Sequence, residues 1–197
     1  MSDFPFPPPW AELLVTVFAP ARRQDSVVGD LLEEYREAQL PRYGKAAADR
    51  WFGRHALGFL WRVALPWAIA FALMSVARDV IDALVPTTDN FHFRSQVSTA
   101  LALGTYATAG LVTGWRCGRI VAGTAVALFM TAMTTVMYVV AGVTVATLIA
   151  AGAFHPSGLL DSFDIPLVGW LFIGVPLSCI GAAIGKAGRS TLTGRTP

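Results

Sequence analysis

Four long apolar stretches, Leu57 to Ala77, Val97 to Trp115, Ile120 to Phe154 and Ile165 to Ile184, constrain this chain more than any other feature. Each is near or above the ~20 residues that cross a hydrocarbon core as a helix. A backbone without water must satisfy its own polar groups, which leaves the α-helix as the form such segments take. Hydrophobic residues make up 54% of the chain and charged ones 14%, with a mean hydropathy of +0.54. That balance points away from a water-soluble domain and makes the lipid bilayer the first expected partner.

The distribution of basic residues gives an orientation. Arg22, Arg23, Arg36, Arg42, Lys45, Arg50, Arg54 and Arg62 precede or enter the first stretch, Arg116 and Arg119 separate the second from the third, and Lys186, Arg189 and Arg195 follow the fourth. Arg78 and Arg94 fall on the opposite side. The positive-inside bias then predicts cytosolic termini, with the Val80 to Gln96 and His155 to Asp164 loops outside. The predicted fold class is an all-α membrane protein: a small N-terminal cytosolic helical bundle and four transmembrane helices, N-in and C-in. Residues 1–56 form the head, 57–185 the four-helix body and 186–197 a basic cytosolic tail. The first ten residues hold Asp3 and several prolines but no Lys or Arg, unlike a cleavable signal peptide, so the first span is expected to serve as the insertion signal.

In the head, Trp10, Leu13, Leu14, Val17 and Phe18 recur at the spacing of one helix face. Pro7, Pro8 and Pro9 lead in and Pro20 closes. Ser26 or Asp25 is placed to cap a second helix, along which Val28, Leu31, Leu32 and Tyr35 form an apolar stripe, while Glu33, Glu34, Arg36 and Glu37 face water; Pro41 and Gly44 end it. A third helix, from Lys45 through Trp51 and His55, is expected to enter the first span without a break. A unit this small buries too little surface to be strongly stable alone, so Trp10, Leu13, Leu14, Val28, Leu31, Leu32, Tyr35 and Trp51 are candidate partner-docking residues. Basic and acidic residues are interleaved and no recognition motif is present, which argues against nucleic acid as a partner.

Pro8-Pro9-Trp10-Ala11-Glu12-Leu13-Leu14, then Gly29-Asp30-Leu31-Leu32-Glu33-Glu34-Tyr35-Arg36-Glu37, then Gly44, Ala47 and Trp51-Phe52-Gly53-Arg54-His55-Ala56-Leu57 make residues 8 to 60 resemble the permease prefix domain. That family precedes the membrane parts of bacterial permeases similar to the membrane subunits of macrolide-export ABC transporters. The resemblance implies a bacterial cytoplasmic-membrane location and a permease or another membrane protein as partner. It brings no catalytic residue. The short outer loops depart from the large extracytoplasmic domain of the full-length permeases, so export activity is not implied.

In the body, Gly110 and Gly114, and Gly181 and Gly185, are four apart and lie on one face of their helices, candidates for close helix packing within one chain or in a homo-oligomer. The third stretch is 35 residues long, roughly 52 Å as a straight helix, so an outward extension with tilt is expected. Thr131, Thr134, Thr135, Thr144 and Thr147 can return hydrogen bonds to their own helix backbone. Pro66 and Pro176 can kink the first and fourth spans. Cys117 and Cys179 lie towards reducing cytosolic ends, where a disulfide is not expected.

Arg78, Asp79 and Asp82 form a candidate outer polar cluster, with Arg78 and Asp82 one turn apart. His92 and His155 stand alone in outer segments, so no metal is expected. The sequence holds no phosphate-cradling loop, zinc signature or nucleophile motif, hence no catalytic or cofactor-binding residue and no enzyme. The expected function is a non-enzymatic permease-associated or regulatory membrane module whose head docks a partner. The alternative is a small multi-pass transport subunit acting as an oligomer.

Overall fold

The computed structural model describes residues 6–84, 91–150 and 170–192. All of the regular structure there is helical: α1 (Pro9–Phe18), α2 (Gln24–Glu34), α3 (Leu40–Tyr43), α4 (Lys45–Leu84), α5 (Phe91–Cys117), α6 (Ile120–Ala150) and α7 (Val175–Leu192), with π turns at Tyr35–Gln39 and Trp170–Gly174.

Local chemistry places the breaks. Among the described residues Gly44 and Gly118 are the ones with positive φ, at 74° and 67°, a conformation that strains side chains bearing a Cβ. Gly44 ends α3 before α4, and Gly118 reverses the chain between α5 and α6. Two expectations in the head need correction. No side chain caps α2: Arg23 occupies the cap position, Asp25 lies in the first turn, and Ser26 instead donates to Asp30 at 3.4 Å. Pro41 does not end the second helix either. It lies in the first turn of α3, and the ladder ahead of it widens to a π turn in which Leu40 N–H reaches Tyr35 O. The proline ring excludes its own amide and crowds the preceding turn, and one wider turn relieves both.

The 40 residues of α4 extend ~60 Å, twice a ~30 Å hydrocarbon core. One rigid element is therefore shared by the head and the first apolar stretch, with Pro66 inside it. Lys45–Arg78, Ile120–Val140 and Leu171–Leu192 are the three helical segments long and apolar enough to cross a membrane. The expected four stretches thus yield three candidates among the described residues. At 27 residues α5 is long enough, but Ser98, Thr99, Gly104, Thr105, Thr108, Gly110, Thr113 and Gly114 dilute its apolar character. Of the third stretch, α6 is described to Ala150; 151–154 and the start of the fourth stretch at Ile165 lie outside the described residues. Pro176 falls at the second residue of α7, directly after a π turn whose wider ladder accommodates the missing amide and the ring.

Each apolar helix keeps a large outward face bare: Ile69 and Leu73 on α4, Val136 and Val139 on α6, Ile180 and Ile184 on α7 are exposed. Rows this extensive are unfavourable against water and neutral against hydrocarbon. The inner faces meet in a core of Ala64, Ala68, Phe71, Ala102, Tyr106, Ala109, Ala122, Val126 and Met130. Tyr106 stacks edge-on against Phe71 at 4.9 Å and shares a 2.7 Å hydrogen bond with Thr131.

The tightest seam joins α5 and α7. A Cβ on Gly110 or Gly114 would overlap the backbone of Ser178 or Ala182, and one on Gly181 or Gly185 would overlap that of Ala107 or Leu111. Both number series rise together, so the two helices run parallel, and their paired glycines interlock within one chain. Ser178 donates across the seam to Gly123 O of α6 at 3.0 Å. Thr131, Thr135, Thr144 and Thr147 return hydrogen bonds to backbone carbonyls three or four residues earlier. The Thr134 hydroxyl, also expected to do so, is buried without a hydrogen-bond partner among the described residues.

Candidate functional site

Where the head meets the body, the two share a continuous interior. The buried face of α1 is Ala11, Val15, Val17 and Phe18, rotated from the stripe expected from spacing, because α4 and the α5–α6 turn approach from that side. Val17 and Phe18 belong to the body's core with Cys117 and Ala122. Ala11 and Val15 belong to the head's own core with Tyr35, Ala48, Phe52 and Ala56. One short helix thus bridges two apolar clusters.

Backbone carbonyls lock this junction. Arg119 donates to Thr16 O near the end of α1 and, at 2.6 Å, to Gln24 Oε1 at the start of α2. Ala21 N–H donates to Arg116 O at 3.3 Å, and Cys117 Sγ–H points to Phe18 O at 3.7 Å. Arg189 of α7 donates to Trp115 O at 3.4 Å and Arg116 O at 3.1 Å. These are the final carbonyls of α5, which a helix leaves unpaired and which carry partial negative charge. Arg119 and Arg189 were legible only as topology charges; the adjacency of Arg119 to Gly118 in a two-residue turn is the one signal of a fixed geometry.

The head's candidate docking residues divide. Tyr35 is fully buried, so it is a core residue and not a contact surface. Its hydroxyl donates to Asp49 Oδ1 at 2.6 Å, its ring meets Phe52 edge-on at 5.7 Å, and Asp49 is paired with Lys45 at 3.3 Å. Burial, then the Asp49 carboxylate, push the Tyr35 phenol up to about 12. Leu14, Val28, Leu31, Leu32 and Trp51 are half-buried against that core. Trp10, 50% exposed, lies over Gly53, where a Cβ would collide with its ring, and Leu13 is 61% exposed. The outward surface is therefore the Trp10–Leu13 edge of α1, beside Phe6, which is also exposed.

At the far end of the bundle, Met74, Ala77, Arg78, Phe93, Arg94, Val97, Ser98 and Leu101 line a recess of about 380 Å³. Arg78 of the predicted outer cluster lines it together with Arg94; the side chains of Asp79 and Asp82 lie outside the described residues. His92 is exposed on α5, and His155 lies outside the described residues. Among the described residues no three His, Cys, Asp or Glu side chains converge as a metal site would need.

The architecture defines an all-helical membrane protein in which a small helical head is built onto a tightly packed apolar bundle. No family model matches the chain, and neither does a curated protein or a solved structure.

Proposed function

We propose that this chain is a non-enzymatic, permease-associated or regulatory membrane module, held in a bacterial cytoplasmic membrane with both termini cytosolic, whose head docks a membrane-protein partner. The observation that carries this is the fusion of head and body through α4, Phe18 and Arg119, together with the exposed Trp10–Leu13 edge. A contact made on that edge is transmitted to the bundle through packed side chains and one long helix, without a flexible tether. The resemblance to the permease prefix domain supports a permease as partner.

Four spans are part of the proposal, α5 being the fourth. Its glycines and threonines diminish apolarity, yet α5 packs along α7 through those same glycines, and its threonines at 105 and 108 return their hydroxyls to Leu101 O and Gly104 O at 2.8 Å. A helix so satisfied can reside in lipid. The transport-subunit reading draws no support from the glycine faces, which are occupied inside the chain.

The test uses the full chain in its native membrane, with a photo-crosslinking residue replacing Trp10 or Leu13 one at a time. A discrete adduct with a co-purifying permease, absent when the same residue replaces Ala187, exposed near the end of α7, is the expected result. Failure of both positions to form an adduct refutes docking by this edge. Cysteine substitution at Ala187, in a Cys117→Ala and Cys179→Ala background, tests topology: labelling by an impermeant maleimide only after permeabilisation is expected.

A further inference from the structure

Between the head and the ends of α5 and α7 lies a recess of about 340 Å³, lined by Pro20, Arg22, Trp115, Arg116, Arg189 and Leu192. We propose that it binds the phosphate of an anionic glycerophospholipid, with the acyl chains following Trp115 and Leu192 into the membrane.

Three arginines reach this recess from three separate segments, the α1–α2 link, the end of α5 and the end of α7, and no carboxylate is among its described lining residues. Arg22 and Arg116 have no ion-pair partner among the described residues. Arg189 is fixed at the rim by its bonds to Trp115 O and Arg116 O. Charges that only set topology need to be on the correct side of the membrane; they need not converge. Convergence of three guanidinium groups raises the local potential and suits a phosphate, which guanidinium groups bind as a fork.

The apolar half of the recess identifies the source of that phosphate. Trp115 is 42% and Leu192 74% exposed, so a free phosphate would leave the Trp115 ring and the Leu192 side chain unmatched, whereas a lipid covers them. Trp115 has the amphipathic ring that favours headgroup depth. The same end of the bundle carries Arg119, Lys186 and the head, so an anionic leaflet on that side meets the recess directly. Bound there, a lipid touches both Arg22 of the head link and the ends of two bundle helices, and so reinforces the junction.

The inference rests on membrane residence, and its test is independent of it. Full-length protein in neutral detergent is titrated with short-chain phosphatidylglycerol, short-chain phosphatidylcholine, or glycerol 3-phosphate, with native mass spectrometry counting adducts. Phosphatidylglycerol should bind in preference to both others. Each arginine near an anionic lipid surface is expected to contribute about fivefold, so Arg22→Gln should weaken phosphatidylglycerol about fivefold and Arg22→Gln with Arg116→Gln about 30-fold. Arg54→Gln with Arg62→Gln, a control on α4, should leave the affinity unchanged. Equal binding of phosphatidylcholine, equal binding of glycerol 3-phosphate, or equal losses in the control pair each overturn the proposal. Arg22 lies in an exposed link and its single variant suffices if the double variant loses helicity. A chain that stays in alkaline-washed membranes yet ignores phosphatidylglycerol refutes the lipid site alone; a chain released into the wash refutes membrane residence.

Discussion

Substituting Gly114 by Ala should destabilise the bundle, whereas the same change at Gly104, on the same helix, should not. A Cβ on Gly114 would lie well inside contact distance of the Ala182 backbone, but one on Gly104 meets nothing within 4 Å. Backbone cannot rotate away as a side-chain tip can, so α5 and α7 must separate, by about 1 Å for a methyl-sized intrusion. A gap of 0.5–1 Å forfeits a quarter to a half of each atom-pair well of ~0.1–0.2 kcal/mol, so a seam of about 40 such pairs loses ~2 kcal/mol. That agrees with the ~1–3 kcal/mol typical of overpacked cores. The assay is reversible unfolding in mixed micelles, followed by circular dichroism, with Gly110→Ala and Gly185→Ala as replicates of the intruding class. If Gly114→Ala unfolds at the same midpoint as Gly104→Ala, the parallel α5–α7 seam is wrong. If it instead dissociates a detergent-stable oligomer while the monomer keeps its stability, the glycines pack between chains.

Arg119→Gln should release α1 from the α5–α6 turn; losing charged hydrogen bonds of this kind costs ~1.5–3 kcal/mol, read as faster amide exchange at Val17, Phe18 and Ala19 and faster tryptic cleavage after Arg22 and Arg23. Tyr35→Phe should lower head stability by ~1 kcal/mol through loss of the bond to Asp49, measured by exchange in Phe52 to Ala56. The Tyr35 phenol, raised to about 12 in the folded head against ~10 unfolded, contributes stability that is complete below pH ~10 and is lost as pH rises towards 12. The wild-type head should therefore weaken over that interval more than Tyr35→Phe, and a parallel decline in the two would refute the burial of this hydroxyl.

Most of the body was legible because lipid imposes a simple rule on sequence. Long apolar runs must be helices, and the chain reveals them without reference to any partner. Gly110, Gly114, Gly181 and Gly185 likewise announce close approach, since a missing side chain is a property of the residue itself. The head was legible in outline: α1 at Trp10 to Phe18, an apolar stripe through Leu31 and Tyr35, and the stop at Gly44, where only a residue lacking Cβ adopts the required backbone comfortably.

What the sequence by itself determined is where long apolar runs lie, where basic charge gathers, and where the chain can turn. What only the tertiary structure decided is who meets whom: that the two glycine pairs interlock with each other in parallel, that the buried face of α1 is turned towards Val15 and Phe18 while Trp10 and Leu13 remain outside, and that Arg119 and Arg189 grip carbonyls of distant helix ends. Periodicity reports that a face is buried but not against what. Every residue carries a carbonyl, so the acceptor an arginine chooses is fixed by the arrangement of helices in space and leaves no mark on the order of residues along the chain.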